Sequence, residues 1–161
     1  SPLTGHLVLS TIHANDAAGA FPRLMDIGAE PFLIATSILG ILAQRLVRVL
    51  CPHCKAPHTP SAFELETLGI SAEQARGANI CKAMGCEHCG QKGYVGRTII
   101  AELLPVTDDI RSLVMQRKDG NTIKKLAVSK GFKTFRDHGI QKVMAGITTI
   151  EELLTNTQID I

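Results

Sequence analysis

The sequence has 161 residues, 45% of them hydrophobic, enough for one ordinary domain or two small ones with a packed core. Its formal net charge of +2 at pH 7 is too small to argue, on electrostatics alone, for nucleic acid or an anionic membrane as a partner. The longest weakly polar run, Pro31 to Ala43, is interrupted by Thr36, Ser37 and Gly40, so it is too short to span a bilayer.

No signal peptide is visible, and a start at Ser1-Pro2 just before an apolar stretch points to a chain cut from something longer. His6-Leu-Val-Leu-Ser-Thr-Ile12 is nearly continuous in apolar, β-favouring residues and predicts a strand covered on both faces, as in the middle of a parallel sheet. Helical patterns dominate downstream, so its expected neighbours belong upstream of Ser1. The polar turn His13-Ala-Asn-Asp16 follows, and Asn15 or Asp16 can cap a helix beginning near Ala17. Ligands of open parallel sheets collect beyond the carboxyl ends of strands; His13 stands at such an end, with His6 near the opposite one. Taken singly, each histidine is more often a packing residue than a chemical group.

A first helix is predicted over Ala17 to Ile27, stopped by Gly28 and bent by Pro22, which removes a backbone donor. A long helix follows from Pro31, in which Ala35, Ile38, Leu42, Leu46 and Val49 form a buried stripe at helical spacing. Thr36, Gly40, Gln44 and Arg48 form a second row expected to face solvent. This helix is expected to deliver Cys51 and Cys54.

Two pairs, Cys51-Pro-His-Cys54 and Cys86-Glu-His-Cys89, read as a closed zinc site. Each C-x-x-C turn presents two sulfurs from one bend, and four sulfurs fill a tetrahedron. No position remains for water, which makes the metal structural rather than hydrolytic. The spacer exceeds the roughly 15 to 20 residues of a compact ribbon, so it must carry structure of its own. Ser61-Ala-Phe-Glu64 and Ser71-Ala-Glu-Gln74 both have capping-box form and predict two short helices. His53, His58 and His88 are rival ligands, and Cys81 is read as a small, partly buried thiol. Disulfides are disfavoured, since nothing marks a secreted chain.

Gly90 to Gly96 reads as a glycine-punctuated turn, and Thr98-Ile-Ile-Ala-Glu-Leu-Leu104 as a strand ended by Pro105. Gly93-x-x-Gly96 lacks the Lys-Ser/Thr ending of a nucleotide-cradling loop and is taken as a backbone turn. Helices are predicted over Asp108 to Met115, Thr122 to Lys130 and Phe135 to Ala145, with a last one opened by Thr149-Ile-Glu-Glu152. Lys124, Lys125, Lys130, Lys133, Arg136 and Lys142 are expected to form a solvated face.

Several motifs together resemble the secretion ATPases that drive type II secretion and type IV pilus assembly. Thr4-Gly-His-Leu-Val-Leu-Ser-Thr-Ile-His-Ala-Asn-Asp-Ala17 resembles that family's histidine box, and Leu42-Ala-Gln-Arg-Leu-Val-Arg48 leads into Cys-Pro-His-Cys as it does there. Gly85-Cys-Glu-His-Cys89, Gly93-Tyr-Val-Gly-Arg-Thr98 and Ala145-Gly-Ile-Thr-Thr-Ile-Glu-Glu152 look like its tetracysteine module and C-terminal signature. The resemblance covers essentially the whole chain. Two departures are Ile99-Ile100-Ala101-Glu102, where relatives usually have Gly-Ile-Tyr-Glu, and Pro22 in an ordinarily regular helix.

The resemblance implies an α/β fold: the C-terminal part of a RecA-like P-loop ATPase domain, with an inserted zinc-binding module and a helical C-terminal subdomain. The expected division is 1–50 for the core part, 51–93 for the zinc module, and 94–161 for the returning strand and helices. It implies a hexamer, peripheral on the cytoplasmic face of the inner membrane, working with platform or assembly proteins of the secretion or pilus machine and not with nucleic acid. His6 and His13 fall on the box's two histidines, associated with sensing nucleotide phosphates; Arg45 and Arg97 fall in family motifs too. ATP and Mg²⁺ are the implied cofactors of the parent, beside structural Zn²⁺. The phosphate loop G-x-x-x-x-G-K-[ST] is not in this sequence, so the fragment alone is expected to hydrolyse no ATP. Cys86 to Cys89 and Asp137 to Glu152 look closer to the secretion branch than to pilus extension. An alternative is a stand-alone zinc module binding protein or nucleic acid, which leaves His6 to Ala17 unexplained; four cysteines argue against a zinc hydrolase.

Overall fold

In the computed structural model, which describes residues 5–157, the expected long helix after Pro31 is split. Helix α2 covers Pro31–Ser37, and Gly40–Leu50 is a strand, β1. Leu42 and Leu46 are four residues apart, a spacing that puts them on one face of a helix and equally on one face of a strand. Burial decides between the two: odd-numbered Ile41, Ala43, Arg45 and Val47 turn inward, while Leu42 and Leu46 are exposed. The polar row Thr36, Gly40, Gln44 and Arg48 does lie outward.

The expected strand over His6 to Ile12 does not form. Among the described residues the sheets are β1 with β4, Tyr94–Pro105, and β2, Ala56–Pro57, with β3, Cys81–Lys82. Neither offers residues 6–12 a ladder, and a lone strand has no partner for its backbone groups. Leu7 and Leu9 are exposed, Leu9 by 89%. Thr4 and the Ser1-Pro2 start lie outside the described residues.

The first helix, α1, covers Ala20–Asp26, three residues later than expected. Pro22 therefore sits in its first turn, where a missing N–H costs no helical bond, and the anticipated bend has no cause. Helices α3, Ala62–Leu68, and α4, Ala72–Arg76, begin at Ser61 and Ser71 with both capping boxes closed. The C-terminal helices are α5, Asp108–Met115; α6, Gly120–Ser129; α7, Phe135–Met144; and α8, Ile150–Asn156.

The chain divides into two units. The first comprises Ser1–Ala43 and Glu102–Lys133, with a core of Phe21, Ile34, Leu104, Val114 and Ile123. The second comprises Gln44–Ala101 and Thr134–Ile161, with Val47, Ile100, Phe135, Val143 and Leu153 buried. In it β2 runs antiparallel to β3, pairing Ala56 with Lys82 and Pro57 with Cys81. Gly139 on α7 lies so close to Leu153 of α8 that an added Cβ would meet Leu153 Cδ1 at 2.1 Å. The basic row is only partly solvated: Lys124, Arg136 and Lys142 are half-buried, and Arg136 donates to the carbonyls of Thr67 and Thr157.

Candidate functional site

The two cysteine turns are built alike. Strand β1 ends at Leu50 and hands on Cys51, whose N–H donates to Gly93 O at 2.9 Å. The N–H groups of Cys54 and Lys55 then fold back onto Cys51 O. On the other side Cys86 opens a 3₁₀ turn, Glu87–Cys89, closed by Gly90 at φ +60° and by Gln91 N–H donating to Cys86 O.

Three backbone amides point at sulfur. Gly85 N–H donates to Cys54 Sγ at 3.3 Å, Cys86 N–H to Cys89 Sγ at 3.3 Å, and Gly93 N–H to Cys89 Sγ at 3.1 Å. Two of the donors are glycines for a steric reason. A Cβ on Gly85 would stand 2.8 Å from Gln91 O, and one on Gly93 would stand 2.7 Å from the Ala83 Cβ. Both also have positive φ, +109° and +77°, where only glycine is unstrained.

The four sulfurs of Cys51, Cys54, Cys86 and Cys89 all lie within 4.8 Å of one another. Cys51 to Cys86 and Cys54 to Cys89 are 3.9 Å, and Cys86 to Cys89 is 3.8 Å. A metal–sulfur bond of about 2.3 Å in a tetrahedron requires sulfur–sulfur edges of about 3.8 Å, whereas a disulfide requires about 2.05 Å. The donor set fits a tetrahedral thiolate-loving ion, and all five cysteines are free thiols. The thiols are electrostatically unequal: burial pushes Cys54 up to about 11. Burial pushes Cys89 the same way, but the N–H groups of Cys86 and Gly93, with the neighbouring thiols, draw it down to about 6. Anionic sulfur is thus favoured where the amides converge.

The rival histidines stay out of the cluster. His53 and His88 are exposed and stack on each other with ring centroids 3.9 Å apart, and His58 pairs with Glu64 at 3.2 Å. Cys81 is buried, more deeply than expected, and its thiol lies 3.5 Å from Asn79 Oδ1.

His6 and His13 are both exposed on the segment without secondary structure. The turn after His13 is firmly held: Asp16 Oδ1 accepts the Gly19 N–H at 2.8 Å, in a tight turn that precedes α1. Arg97 is exposed, whereas Arg45 lies over the Phe135 ring at 4.7 Å and donates to Asn156 O.

Two polar constellations escaped sequence reasoning. Glu152 of α8 accepts the Arg48 backbone N–H at 2.9 Å and grips its guanidinium at 2.8 and 2.6 Å. In the first unit Glu102, buried in β4, accepts the Ala17 N–H at 3.0 Å, with Lys124 Nζ 3.9 Å away. The only available signal was a carboxylate within the otherwise apolar run Ile99 to Leu104, a position that demands a partner.

The family described as "Type II/IV secretion system protein" matches residues 1–155. Among individual relatives, the type IV pilus assembly ATPase PilB of Thermus thermophilus is 49% identical over 155 residues, 96% of this chain and 17% of its own length. The type II secretion system protein E of Pseudomonas aeruginosa is 47% identical over 156 residues, covering 97% of this chain and 30% of that protein. The type II secretion system ATPase E of Vibrio cholerae is 43% identical over 156 residues, with the same coverage of 97% and 30%. The chain thus spans less than a third of the length of these relatives.

Proposed function

This chain belongs to the type II/IV secretion system protein family, and from that premise we propose that it is the C-terminal part of a longer, RecA-like motor ATPase. The parent works as a hexamer, peripheral on the cytoplasmic face of the inner membrane. There it couples ATP hydrolysis to building a pseudopilus or pilus and so to protein export, acting on platform or assembly proteins of that machine. Relatives named as ATPases of both branches support the activity. Between branches we favour type II secretion, on Cys86-Glu-His-Cys89 and the stretch from Asp137 to Glu152.

The observation that carries the division of labour is the four-sulfur cage. Cys51, Cys54, Cys86 and Cys89 would hold zinc with every position filled, so the ion supplies cross-linking and no place for a substrate. Energy transduction therefore falls to other residues: His6 and His13 report the state of the nucleotide's phosphates, and the C-terminal helices pass movement on. The division into a core part at 1–50, a zinc module at 51–93 and a returning strand with helices at 94–161 belongs to the same proposal. ATP and Mg²⁺ bind the parent through a phosphate loop that this sequence does not contain.

The test compares magnesium-dependent ATP hydrolysis by the full-length protein and by this chain alone, with elemental analysis of both. The expected result is turnover only in the full-length protein and about one zinc per chain in each. Turnover by the isolated chain, or a metal-free preparation with ordered cysteine turns, overturns the assignment.

A further inference from the structure

We propose that Glu102 and Lys124 are positioning residues for His13, holding the turn His13 to Asp16 from below and so setting where the imidazole stands. The proposal rests on the reading of His13 as a reporter of nucleotide state. Glu102 is only 1% exposed, and a carboxylate that deep is retained at a cost in desolvation unless it is hydrogen-bonded and paired.

Its contacts converge on the residues that follow the histidine. Glu102 Oε2 accepts the Ala17 N–H at 3.0 Å, and its Oε1 lies 3.9 Å from Lys124 Nζ. The same ammonium reaches Asp16 Oδ2 at 2.8 Å, while Asp16 Oδ1 accepts the Gly19 N–H at 2.8 Å. Lys124 thus bridges two carboxylates, one from the turn and one from β4. Helix α6 can bring the lysine there because its first residue is Gly120: a Cβ at that position would stand 3.2 Å from Gly19 Cα.

The arrangement leaves His13 exposed while its C-terminal flank is pinned at Asp16 and Ala17. An exposed side chain on a loosely held loop samples many positions, and displacement of a reacting or sensing group by about 1 Å can cost on the order of 10²-fold in rate. A hydrogen-bonded ion pair beneath the turn restricts that freedom without touching the ligand.

The experiment is a mutant cycle in the full-length protein, read by steady-state ATP hydrolysis for His13→Ala, Glu102→Gln and the double variant. The side-chain amide introduced by Glu102→Gln would keep an oxygen for the Ala17 N–H but lose the charge that holds Lys124. We expect Glu102→Gln to lower kcat about tenfold with KM for ATP within twofold, and to cause no further loss in the His13→Ala background. Lys124→Met should behave in the same way, and as a change at a half-buried residue it supplies the cycle if Glu102→Gln fails to fold. Multiplicative losses in the double variant, or wild-type kcat in Glu102→Gln and Lys124→Met, overturn the positioning role while leaving His13 in place. Full activity in His13→Ala overturns the histidine reading, and the positioning role with it.

Discussion

Replacing Glu152 by Ala should destabilise the second unit by about 3 kcal/mol, and the contributions can be apportioned from the contacts. Glu152 is buried and its carboxylate makes three bonds to Arg48, one to the backbone N–H and two to the guanidinium. The Arg48 side chain is 52% exposed, so the charged part is screened and contributes about 1 kcal/mol. The half that faces the backbone matters more: an edge N–H of β1 left without an acceptor costs about 1 to 3 kcal/mol. Glu152→Gln keeps one acceptor and should cost about 1 kcal/mol. Arg48→Ala should cost about 1 to 2 kcal/mol, since it also lifts the guanidinium from the Tyr94 ring, 4.0 Å below it. Urea unfolding followed by tyrosine fluorescence is well placed to read this, because Tyr94 is the single tyrosine and the chain has no tryptophan. The pH dependence has a definite sign. Burial pushes the Glu152 carboxyl up, but its bonds to Arg48 outweigh burial and hold it below the ordinary carboxylate range. Its contribution is therefore full above the ordinary carboxylate range and is lost as pH falls through it. A loss under about 1 kcal/mol for Glu152→Ala, or equal losses for Ala and Gln, would refute the apportioning.

Replacing Cys51 or Cys86 by Ser should abolish stoichiometric metal and loosen residues 51–89, read by elemental analysis and amide exchange; retained zinc contradicts the four-sulfur assignment. Because each ligand must shed a proton, metal retention should rise with pH and be lost in acid; a chromogenic chelator measures the release, and retention independent of pH contradicts thiolate ligation. Gly93→Ala should weaken metal binding about tenfold, since the new methyl meets Ala83 and the positive φ is strained; competition with a chelator of known affinity checks this, and unchanged affinity refutes the steric requirement for glycine there. Ser61→Ala should cost about 1 kcal/mol through loss of one capping box, visible as faster exchange confined to α3.

What could be read from the sequence depended on whether the signal was local. The capping boxes at Ser61 and Ser71 and the cap at Thr149 bond residues three apart, and all three occur as the spacing implies. The gathering of Cys51, Cys54, Cys86 and Cys89 was equally legible, because each turn fixes its own pair and one cage can satisfy both. Gly40–Leu50 was misread because a spacing of four is common to both periodicities, and pairing with β4, Tyr94–Pro105, far along the chain selects the strand. Glu102 with Ala17 and Arg48 with Glu152 join residues 85 and 104 positions apart, so no window of sequence contains either.

In the second unit the cysteine turns and the stretch from Ala145 to Glu152 are joined by hydrogen bonds. The segment Ala145-Gly-Ile-Thr-Thr149 binds the end of β1 and the first cysteine turn at several points. Leu50 N–H donates to Ile147 O at 2.8 Å, Lys55 Nζ to Gly146 O at 2.9 Å, and Thr148 Oγ1 to Arg48 O at 2.8 Å. Just before it, Met144 O accepts the Asn79 N–H at 2.8 Å, and Gly146 is packed so close to Asn79 that a Cβ would come within 2.8 Å of it. The bonded residues precede Cys51, follow Cys54 and, at Asn79, come just after α4, so the turn touches the chain on both sides of the first cysteine pair. The next residue in chain order is Thr149, whose side chain caps α8 by accepting the Glu152 N–H and lies 2.9 Å from the Tyr94 hydroxyl. Cross-linking the cysteine turns restricts the segments that hold this turn, and the turn in turn fixes the first residues of α8. A brace made of hydrogen bonds alone would share the fate of each local opening; with the cage loaded as proposed, four metal–sulfur bonds would keep it shut through such openings.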